Sequence, residues 1–392
     1  MIKISSIYAF QQVFLRECRR LVSKPIYLFS IIVAPLFCYF FFTSLMKNGL
    51  PTNLPIAVVD LDKTSTSRNT VRQLDAFPQT EVVMNASNFA EARTQLQEGS
   101  VYAVFVIPHH FMRDILNGVQ PKITFYTNNT YFIAGALVFR DMKTVSVLMS
   151  GAVGRQVGLA KGQNPKQLLA QLQPIVVDAH PIGNPWLNYS VYLNNMLLPG
   201  ILQLMIILLT VYSIGIEIKE QTAKQWLAVS NNSILIATFG KLLPQTLLFS
   251  MMGILFQILL YGYLHFPLNS GLMPMLFAVL LFVISAQSLG VFMISVLPTL
   301  RLGMSFASLI GVISFSIAGF SYPVFAMHPS LQWVSHLFPL RHYFLIYVDQ
   351  ALNGYSLYYS RMEYMALMLF VLAPIPLAYR LKHSLKHREY KM

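Results

Sequence analysis

Few side chains in this sequence have the type and spacing that covalent chemistry requires. Asp60 and Asp62 follow an apolar segment, where paired carboxylates can hold a metal or exchange protons, but acids at a strand end more often cap the next helix. His109 and His110 are adjacent, and adjacent side chains point apart on a helix. The sequence contains no P-loop, GxSxG or HExxH spacing. We therefore predict no catalytic residue, no metal site and no enzymatic activity in this chain itself.

A second group of polar side chains lies within or beside long apolar segments. We expect Lys241 to extend its ammonium group to a membrane interface, and Glu217 to pair with Lys219 or Lys241. No series of buried acids suggests a proton relay, which disfavours proton-driven transport. The amides within the apolar segments either join helices by hydrogen bonds or line a substrate path. The candidate path residues are Gln203, Gln257 and Gln287.

Six apolar segments are long enough to position these side chains inside a membrane, because about 20 apolar residues cross a bilayer as a helix. The chain is 55% hydrophobic and 11% charged, whereas soluble domains carry about 25% charged residues. We predict an α-helical polytopic membrane protein with one transmembrane helix before a large polar segment and five after it. The predicted spans are residues 26–46, 196–216, 236–262, 272–297, 302–322 and 364–381.

The polar segment, residues 47–190, has the pattern of an inserted extracytoplasmic α/β domain. Val- and Ile-rich strands are predicted at 54–62 and 101–108, with further strands at 81–84 and 123–129 and helices between them. Asn88 or Ser87 is the predicted N-cap of one helix, and Gly99 its C-terminal stop. Cys18 and Cys38 lie outside the segment, so we expect no disulfide in it. Residues 191–382 form the predicted five-helix transmembrane domain.

Basic residues flank the first and last spans and set the predicted orientation. Cytoplasmic loops of membrane proteins are enriched in Lys and Arg, so both termini are predicted to be cytoplasmic. The net charge of +13 therefore indicates contact with anionic lipid rather than nucleic acid. The first span is predicted to be an uncleaved signal anchor. The flanking basic residues are Arg16, Arg19, Arg20 and Lys24 before it, and Arg380, Lys382, Lys386, Arg388 and Lys391 at the end, where residues 383–392 form a predicted basic tail.

Residues 1–25 contain an amphipathic helix with an apolar stripe opposite its arginines. Such a helix suits the membrane interface, with packing on protein as the alternative. The stripe consists of Ile7, Phe10, Phe14, Cys18 and Leu21, and the opposite side carries Gln12, Arg16, Arg19 and Arg20.

Two other segments have distinct patterns. Residues 217–232 are predicted to be a short cytoplasmic loop, and residues 323–360 a re-entrant outer segment interrupted by Pro323, Pro329 and Pro339.

The order of three motifs resembles the transmembrane subunit of type-2 ABC exporters, permeases with a large extracytoplasmic domain after the first span. "IAVVDLDKTSTSRNTVRQLDAF" followed by "VYAVFVIPHHFMRDILNG" resembles the outer domain of that family. "GIEIKEQTAKQWLAVS" resembles its cytoplasmic loop, and "SYPVFAMHPSLQWVSHLFPLRHYF" its re-entrant segment. Where the family usually has Gly-Thr after two acids, this chain has Gln221-Thr222-Ala223.

The resemblance implies a mechanism and a set of partners. Two permeases, either identical or sister chains, pair with an ABC ATPase subunit that binds ATP and Mg²⁺, and no cofactor binds this chain. The resemblance implies a periplasmic adaptor as a further partner. It also implies a location in the bacterial inner membrane, and drugs, lipids or other amphipathic molecules as substrates. The residues implied in coupling to the ATPase are Glu217, Lys219, Glu220, Thr222 and Lys224, with Phe10, Phe14, Arg16, Arg19 and Arg20 on the interface helix.

Two other classes of protein were considered for this sequence. A membrane-anchored sensor or adhesion protein would use the outer α/β domain, but such a protein needs only one or two spans and no re-entrant segment. An intramembrane enzyme would need a paired nucleophile and base, which the apolar segments lack.

Overall fold

Two compact units make up the chain, and the computed structural model describes residues 6–387. We call Asn48–His180 the sheet unit, and Met1–Lys47 together with Pro181–Met392 the helical unit. Residues 1–5 of the predicted interface helix, and residues 388–392 of the predicted tail with Arg388 and Lys391, lie outside the described residues.

The helical unit begins with helix α1, Ser6–Ser23, followed by α2, Pro25–Leu28, and α3, Ala34–Leu45. A π-helical turn, Phe29–Val33, joins α2 to α3 directly before Pro35. Proline has no N–H for the preceding turn and its ring crowds that turn, which the wider π-turn accommodates. Together these elements form the apolar helix Pro25–Leu45, which is long enough to cross a membrane.

The sheet unit alternates strands and helices over one mixed sheet. Its strand order is β2-β1-β3-β4, with β1 parallel to β2 and β3, and β4 antiparallel to β3. In chain order the elements are β1 Leu54–Asp60, α4 Ser65–Asp75, β2 Thr80–Asn85, α5 Phe89–Glu98, β3 Ala103–Ile107, α6 Phe111–Leu116, β4 Thr124–Thr127, α7 Phe132–Ala160 and α8 Pro165–Leu172.

Strand β1 is buried on both faces because helices cover both sides of the sheet. Ile56 and Val58 contribute to the core beneath α4 and α7, whereas Ala57 and Val59 contribute to the core on the side of α5. This explains why the strand reads as a continuous apolar segment rather than an alternating one. Of the two predicted N-caps of α5, Asn88 and Ser87, the structure has Asn88, whose side chain accepts a hydrogen bond from the Glu91 N–H at 2.9 Å.

The turn after β1 uses the two acids that the sequence analysis considered as a catalytic pair. Asp60 accepts hydrogen bonds from the backbone N–H of Asp62 and of Lys63, and from the Ser67 hydroxyl at 2.7 Å. Asp62 accepts from the Thr64 hydroxyl at 2.6 Å, and Thr64 is the N-cap of α4. Both carboxylates therefore fix the strand-to-helix turn.

The rest of the helical unit consists of nine helices in the described part of the chain. They are α9 Tyr189–Lys219, α10 Ala223–Val229, α11 Ile234–Gln257, α12 Leu272–Val296, α13 Leu300–Ile317, α14 Pro329–Ser335, α15 Pro339–Tyr347, α16 Leu357–Leu372 and α17 Ala378–His387. Five further helices are long and apolar enough to cross a membrane: Tyr189–Lys219, Ile234–Tyr263, Leu272–Val296, Leu300–Ile317 and Leu357–His387.

Several boundaries differ from the sequence prediction. The predicted loop 217–232 is largely helical, because α9 continues to Lys219 and α10 follows after one turn. The predicted span 302–322 ends at Ile317, before a turn in which Gly319 adopts a φ of +104°. The last helix continues through Ile375–Leu377 into α17, so residues 383–387 of the predicted tail are helical. Between α13 and α16, the segment predicted to be re-entrant contains two short helices, α14 and α15, each beginning with proline.

Candidate functional site

Helices α1, α9 and α11 bring oppositely charged side chains together inside the helical unit. Glu17 lies on α1, Glu217 near the end of α9, and Lys241 two turns into α11, and each is at most 1% exposed. The close approach of α1 to α11 depends on Gly240, because a Cβ there would lie 3.0 Å from the side chain of Val13. We call this group of charges and its polar neighbours the charge cluster.

Lys241 is the central cation of the charge cluster. Its Nζ lies 2.7 Å from Glu17 Oε2 and 2.9 Å from Glu217 Oε1. The Gln245 side chain donates to the other oxygen of Glu17 at 3.0 Å. The ammonium also lies 5.1 Å from the centroid of the Trp226 ring on α10, within the range of a cation–π contact. The expectation that Lys241 extends to the membrane interface is therefore wrong, because two buried carboxylates hold it inside the protein.

Two arginines of α1 close the charge cluster around Glu217. Arg16 makes a bidentate pair with this carboxylate, with Nη1–Oε1 and Nη2–Oε2 distances of 2.7 and 2.9 Å. Arg20 also donates to Glu217 Oε1, and the Thr222 hydroxyl donates to Oε2. The planar guanidinium matches a carboxylate in this geometry, which fixes the orientation of α1 against the end of α9.

The outer edge of the charge cluster is partly exposed. Arg20 Nη2 lies 2.7 Å from Glu220 Oε2, and Lys24 Nζ lies 2.9 Å from Glu220 Oε1. The Glu220 side chain is 40% exposed, whereas that of Glu217 is fully buried. Exposed ion pairs contribute little to stability, while removing one member of a buried pair costs about 3–5 kcal/mol. The buried members therefore carry most of the energy of the cluster.

The ionisation of Arg16 reflects its place in the cluster. Burial lowers the pKa of its guanidinium, but the hydrogen bond and charge of Glu217 outweigh burial, so the net direction is upward. The Arg16 guanidinium is therefore charged where it pairs with Glu217, and this ion pair connects α1 to α9.

The structure separates the sequence-predicted coupling residues into three groups. Glu217 and Thr222 belong to the interior of the charge cluster, so Glu217 does not form part of an exposed docking surface as its position in a loop had implied. Glu220 lies at the outer edge of the cluster. Lys219 and Lys224 are exposed.

The interface-helix residues are likewise divided. Arg16 and Arg20 point into the protein, while Arg19 is exposed. Phe10 and Phe14 are half-buried and stack on each other with ring centroids 6.4 Å apart. The buried face of α1 consists of Ala9, Val13, Glu17 and Leu21, spaced four residues apart. That spacing, which places Glu17 in line with three apolar residues, is the signal in the sequence that the analysis missed.

Each candidate path glutamine makes a hydrogen bond to another part of the helical unit. Gln203 Nε2 donates to the Ser314 hydroxyl at 3.0 Å, and Gln257 Nε2 donates to the Met275 carbonyl at 2.7 Å. Gln287 Oε1 accepts from the Thr246 hydroxyl at 2.6 Å. These contacts match the interhelical alternative, in which buried amides join neighbouring helices.

Comparison with known families decides the class of this helical unit. The family model described as ABC-2 family transporter protein matches residues 25–380, which is most of the chain. This chain belongs to the ABC-2 transporter family. No curated protein matches it. The match includes the helix after the π-turn, the whole sheet unit and all the later helices through α16.

Membership of the ABC-2 family assigns this chain to the transmembrane component of an ABC transporter. Members of the family are permeases, and the hydrolysis of ATP belongs to a separate ABC ATPase subunit with which the permease pairs. The ABC-2 protein is accordingly a multi-pass membrane protein with about six membrane-spanning helices. This class argues against the sensor or adhesion protein that the sequence had left as an alternative.

Proposed function

We propose that this ABC-2 protein is the permease of an ATP-driven exporter that moves a drug, a lipid or another amphipathic molecule out of a bacterial cell. In this proposal it lies in the inner membrane with both termini in the cytoplasm, one span before the sheet unit and five after it. The basic residues at both ends support this orientation. A second permease copy or a sister chain completes the transporter, ATP and Mg²⁺ bind the ATPase subunit, and a periplasmic adaptor contacts the sheet unit.

The charge cluster is the observation that carries the proposed coupling mechanism. It joins an interface helix, the end of one span and the start of the next through buried ion pairs. Helix α10 packs against the same place, since Trp226 is fully buried beside Lys241 while Lys224 and Gln225 are exposed. An ATPase that pushes on the exposed side of α10 would therefore move α9 and α11 together, because the cluster resists separation of these helices.

The residues have distinct roles in this mechanism. Lys219 and Lys224 provide the exposed positive surface that binds the ATPase, and Glu220 marks its edge. Glu217 and Thr222 transmit movement rather than bind the partner, because they lie inside the cluster. Arg16 and Arg20 extend the connection to α1, where Phe10 and Phe14 contact membrane lipid along with the exposed apolar side chains of Ile7 and Leu15.

Charge reversal at the end of α9 and the start of α10 tests the docking surface. The double variant Lys219→Glu with Lys224→Glu should abolish co-purification of the ATPase subunit with the full-length permease. In this proposal the two lysines attract acidic groups of the ATPase, and two glutamates in their place would repel those groups. Lys122→Glu is the control, since Lys122 is exposed on the sheet unit. Wild-type permease with its ATPase in proteoliposomes should show ATP-dependent efflux of an amphipathic dye. Unchanged ATPase binding by the double variant would refute the assignment of Lys219 and Lys224 to the docking surface.

A further inference from the structure

A concave site of about 620 Å³ lies in the sheet unit at the carboxyl ends of β1 and β2. The two strands are parallel, so the turns that follow them lie at the same edge of the sheet. Residues of the turn after β1, of α4 and of the turn after β2 line the site, which we call the strand-end site. Its volume is in the range of small-molecule pockets, about 300–1,000 Å³.

The course of the chain leaves a crevice at the strand-end site. After β1 the chain enters α4, which contributes Leu74 to the core on one face of the sheet. After β2 the chain enters α5, which contributes Ala92 to the core on the opposite face. The two connections therefore leave neighbouring strands in opposite directions. A crevice of this kind, at the carboxyl ends of parallel strands, is where open α/β sheets bind their ligands.

Three basic side chains line the strand-end site. Lys63 lies in the turn after β1, while Arg68 and Arg72 lie one turn apart on the same side of α4. Arg68 Nη1 donates to the Lys63 carbonyl at 2.8 Å, which holds this guanidinium beside the turn. None of the three makes an ion pair with an acid in the described part of the sheet unit. Like charges one turn apart on a helix repel each other, so an anion between them would be stabilising.

The acids near the strand-end site are engaged in turns. Asp60 belongs to the lining, and its carboxylate accepts hydrogen bonds from two backbone N–H groups of the next turn and from the Ser67 hydroxyl. Glu91 of α5 lies outside the lining and accepts from the Ser87 N–H at 2.9 Å. Among the described residues the lining therefore carries three cations and one carboxylate, an excess of positive charge.

The kinds of side chain in the lining indicate the chemistry of a ligand. A guanidinium matches the oxygens of a phosphate or a carboxylate in a bidentate geometry. Three cations suit a phosphate monoester better than a carboxylate, because the monoester carries about −1.5 to −2 charges at pH 7 and three acceptor oxygens. Asn85 and Ser87 add an amide and a hydroxyl at the end of β2, where they can bind the polar body of such a molecule.

We infer that the strand-end site binds the phosphate group of a phosphorylated polar molecule. Lys63, Arg68 and Arg72 bind the phosphate, and Asn85 and Ser87 bind the polar body that carries it. The phosphate belongs either to a soluble molecule or to a lipid headgroup, and the recognition chemistry is the same for both. This inference concerns binding alone, so its test needs neither ATP nor a partner subunit, and its failure would leave the proposed transport function untouched.

Binding of glucose 6-phosphate to the full-length protein in a maltoside detergent tests the site. The ³¹P resonance of this ligand should broaden when the protein is added, and the broadening should saturate as the ligand concentration rises. Methyl glucoside, which lacks the phosphate, should not compete. The same titration in nanodiscs distinguishes the two sources of phosphate. Loss of binding in discs with phosphatidic acid, but not in discs with phosphatidylserine, would assign the phosphate to a lipid headgroup, and binding in both would assign it to a soluble molecule.

Two variants should weaken the binding of glucose 6-phosphate. Lys63→Gln with Arg72→Gln should raise the dissociation constant at least about tenfold, because two charge-assisted contacts are lost. Both side chains are exposed, so the fold of the sheet unit should be unchanged. Asn85→Asp keeps the size of the side chain but places a negative charge in the lining, so it should weaken binding by repulsion of the phosphate.

A matched pair of substitutions controls for the loss of positive charge. Arg93→Gln with Lys122→Gln removes one arginine and one lysine from exposed positions of the sheet unit outside the lining, and it should leave binding unchanged. The inference is wrong if binding does not saturate, if the control pair weakens binding as much as the pair in the site, or if Asn85→Asp binds glucose 6-phosphate as tightly as the wild type.

Discussion

Replacement of Lys241 by methionine should destabilise the protein strongly, although methionine has nearly the same length. The change leaves Glu217 with Arg16, Arg20 and Thr222. Glu17 is left with only the amide of Gln245. An uncompensated buried charge costs about 3–5 kcal/mol, which lowers the folding equilibrium constant by roughly two to three and a half powers of ten.

Removing both charges should restore most of the stability. In Lys241→Met with Glu17→Gln, the buried carboxylate is absent, and an amide at position 17 can still bond Gln245. Glu17→Gln alone should cost only about 1–2 kcal/mol, because Lys241 keeps Glu217. The double variant should then be at least about 2 kcal/mol more stable than the sum of the two single changes predicts.

The free energy of unfolding of the full-length protein in detergent micelles measures this coupling. Tryptophan fluorescence is a suitable signal, since Trp226 lies beside Lys241. Lys224→Met is the control for loss of a lysine from the same region, and it should change stability by less than about 0.5 kcal/mol because Lys224 is exposed. Strict additivity of the two buried changes, or a Lys241→Met protein as stable as the wild type, would refute the argument.

Three further predictions test other parts of the molecule. In a background without native cysteines, cysteines placed at Thr66 and Ser356 should react with an impermeant thiol reagent added to intact cells, whereas a cysteine at Asn232 should not. Labelling at Asn232 would contradict the proposed orientation. The isolated sheet unit, residues 48–180, should give a mixed α/β circular dichroism spectrum and a cooperative thermal melt, because its two hydrophobic cores consist of its own residues. Reductant should not change the melt, because both cysteines lie outside the unit. A random-coil spectrum would show that folding of the unit depends on the membrane spans. Burial raises the pKa of the Cys18 thiol. Its reaction with maleimide at pH 7 should therefore be slower than that of a small model thiol. The rise of its reaction rate with pH should occur at a higher pH than the corresponding rise for the model thiol.

Local patterns in the sequence determined much of the secondary structure. The strand predicted at 54–62 lies at Leu54–Asp60, since its Val and Ile residues favour an extended chain buried on both faces. The apolar helices were equally readable, because length and composition alone decide whether a helix can cross a bilayer. Family membership also followed from the order of motifs, and the family model confirms it over residues 25–380.

The charge cluster was decided only by the tertiary structure. Glu17, Glu217 and Lys241 are more than 20 residues apart, and nothing in their local sequence states which charges will meet. Hydrophobic periodicity identifies the apolar side of a helix, but a buried acid breaks that pattern, because the residue type alone assigns it to the polar side. Glu17 was missed for this reason, and Lys241 was assigned to the membrane interface because a lone lysine near a helix end usually extends there. Its true environment depends on two carboxylates brought by other helices, and only the packing of α1 and α9 against α11 supplies them.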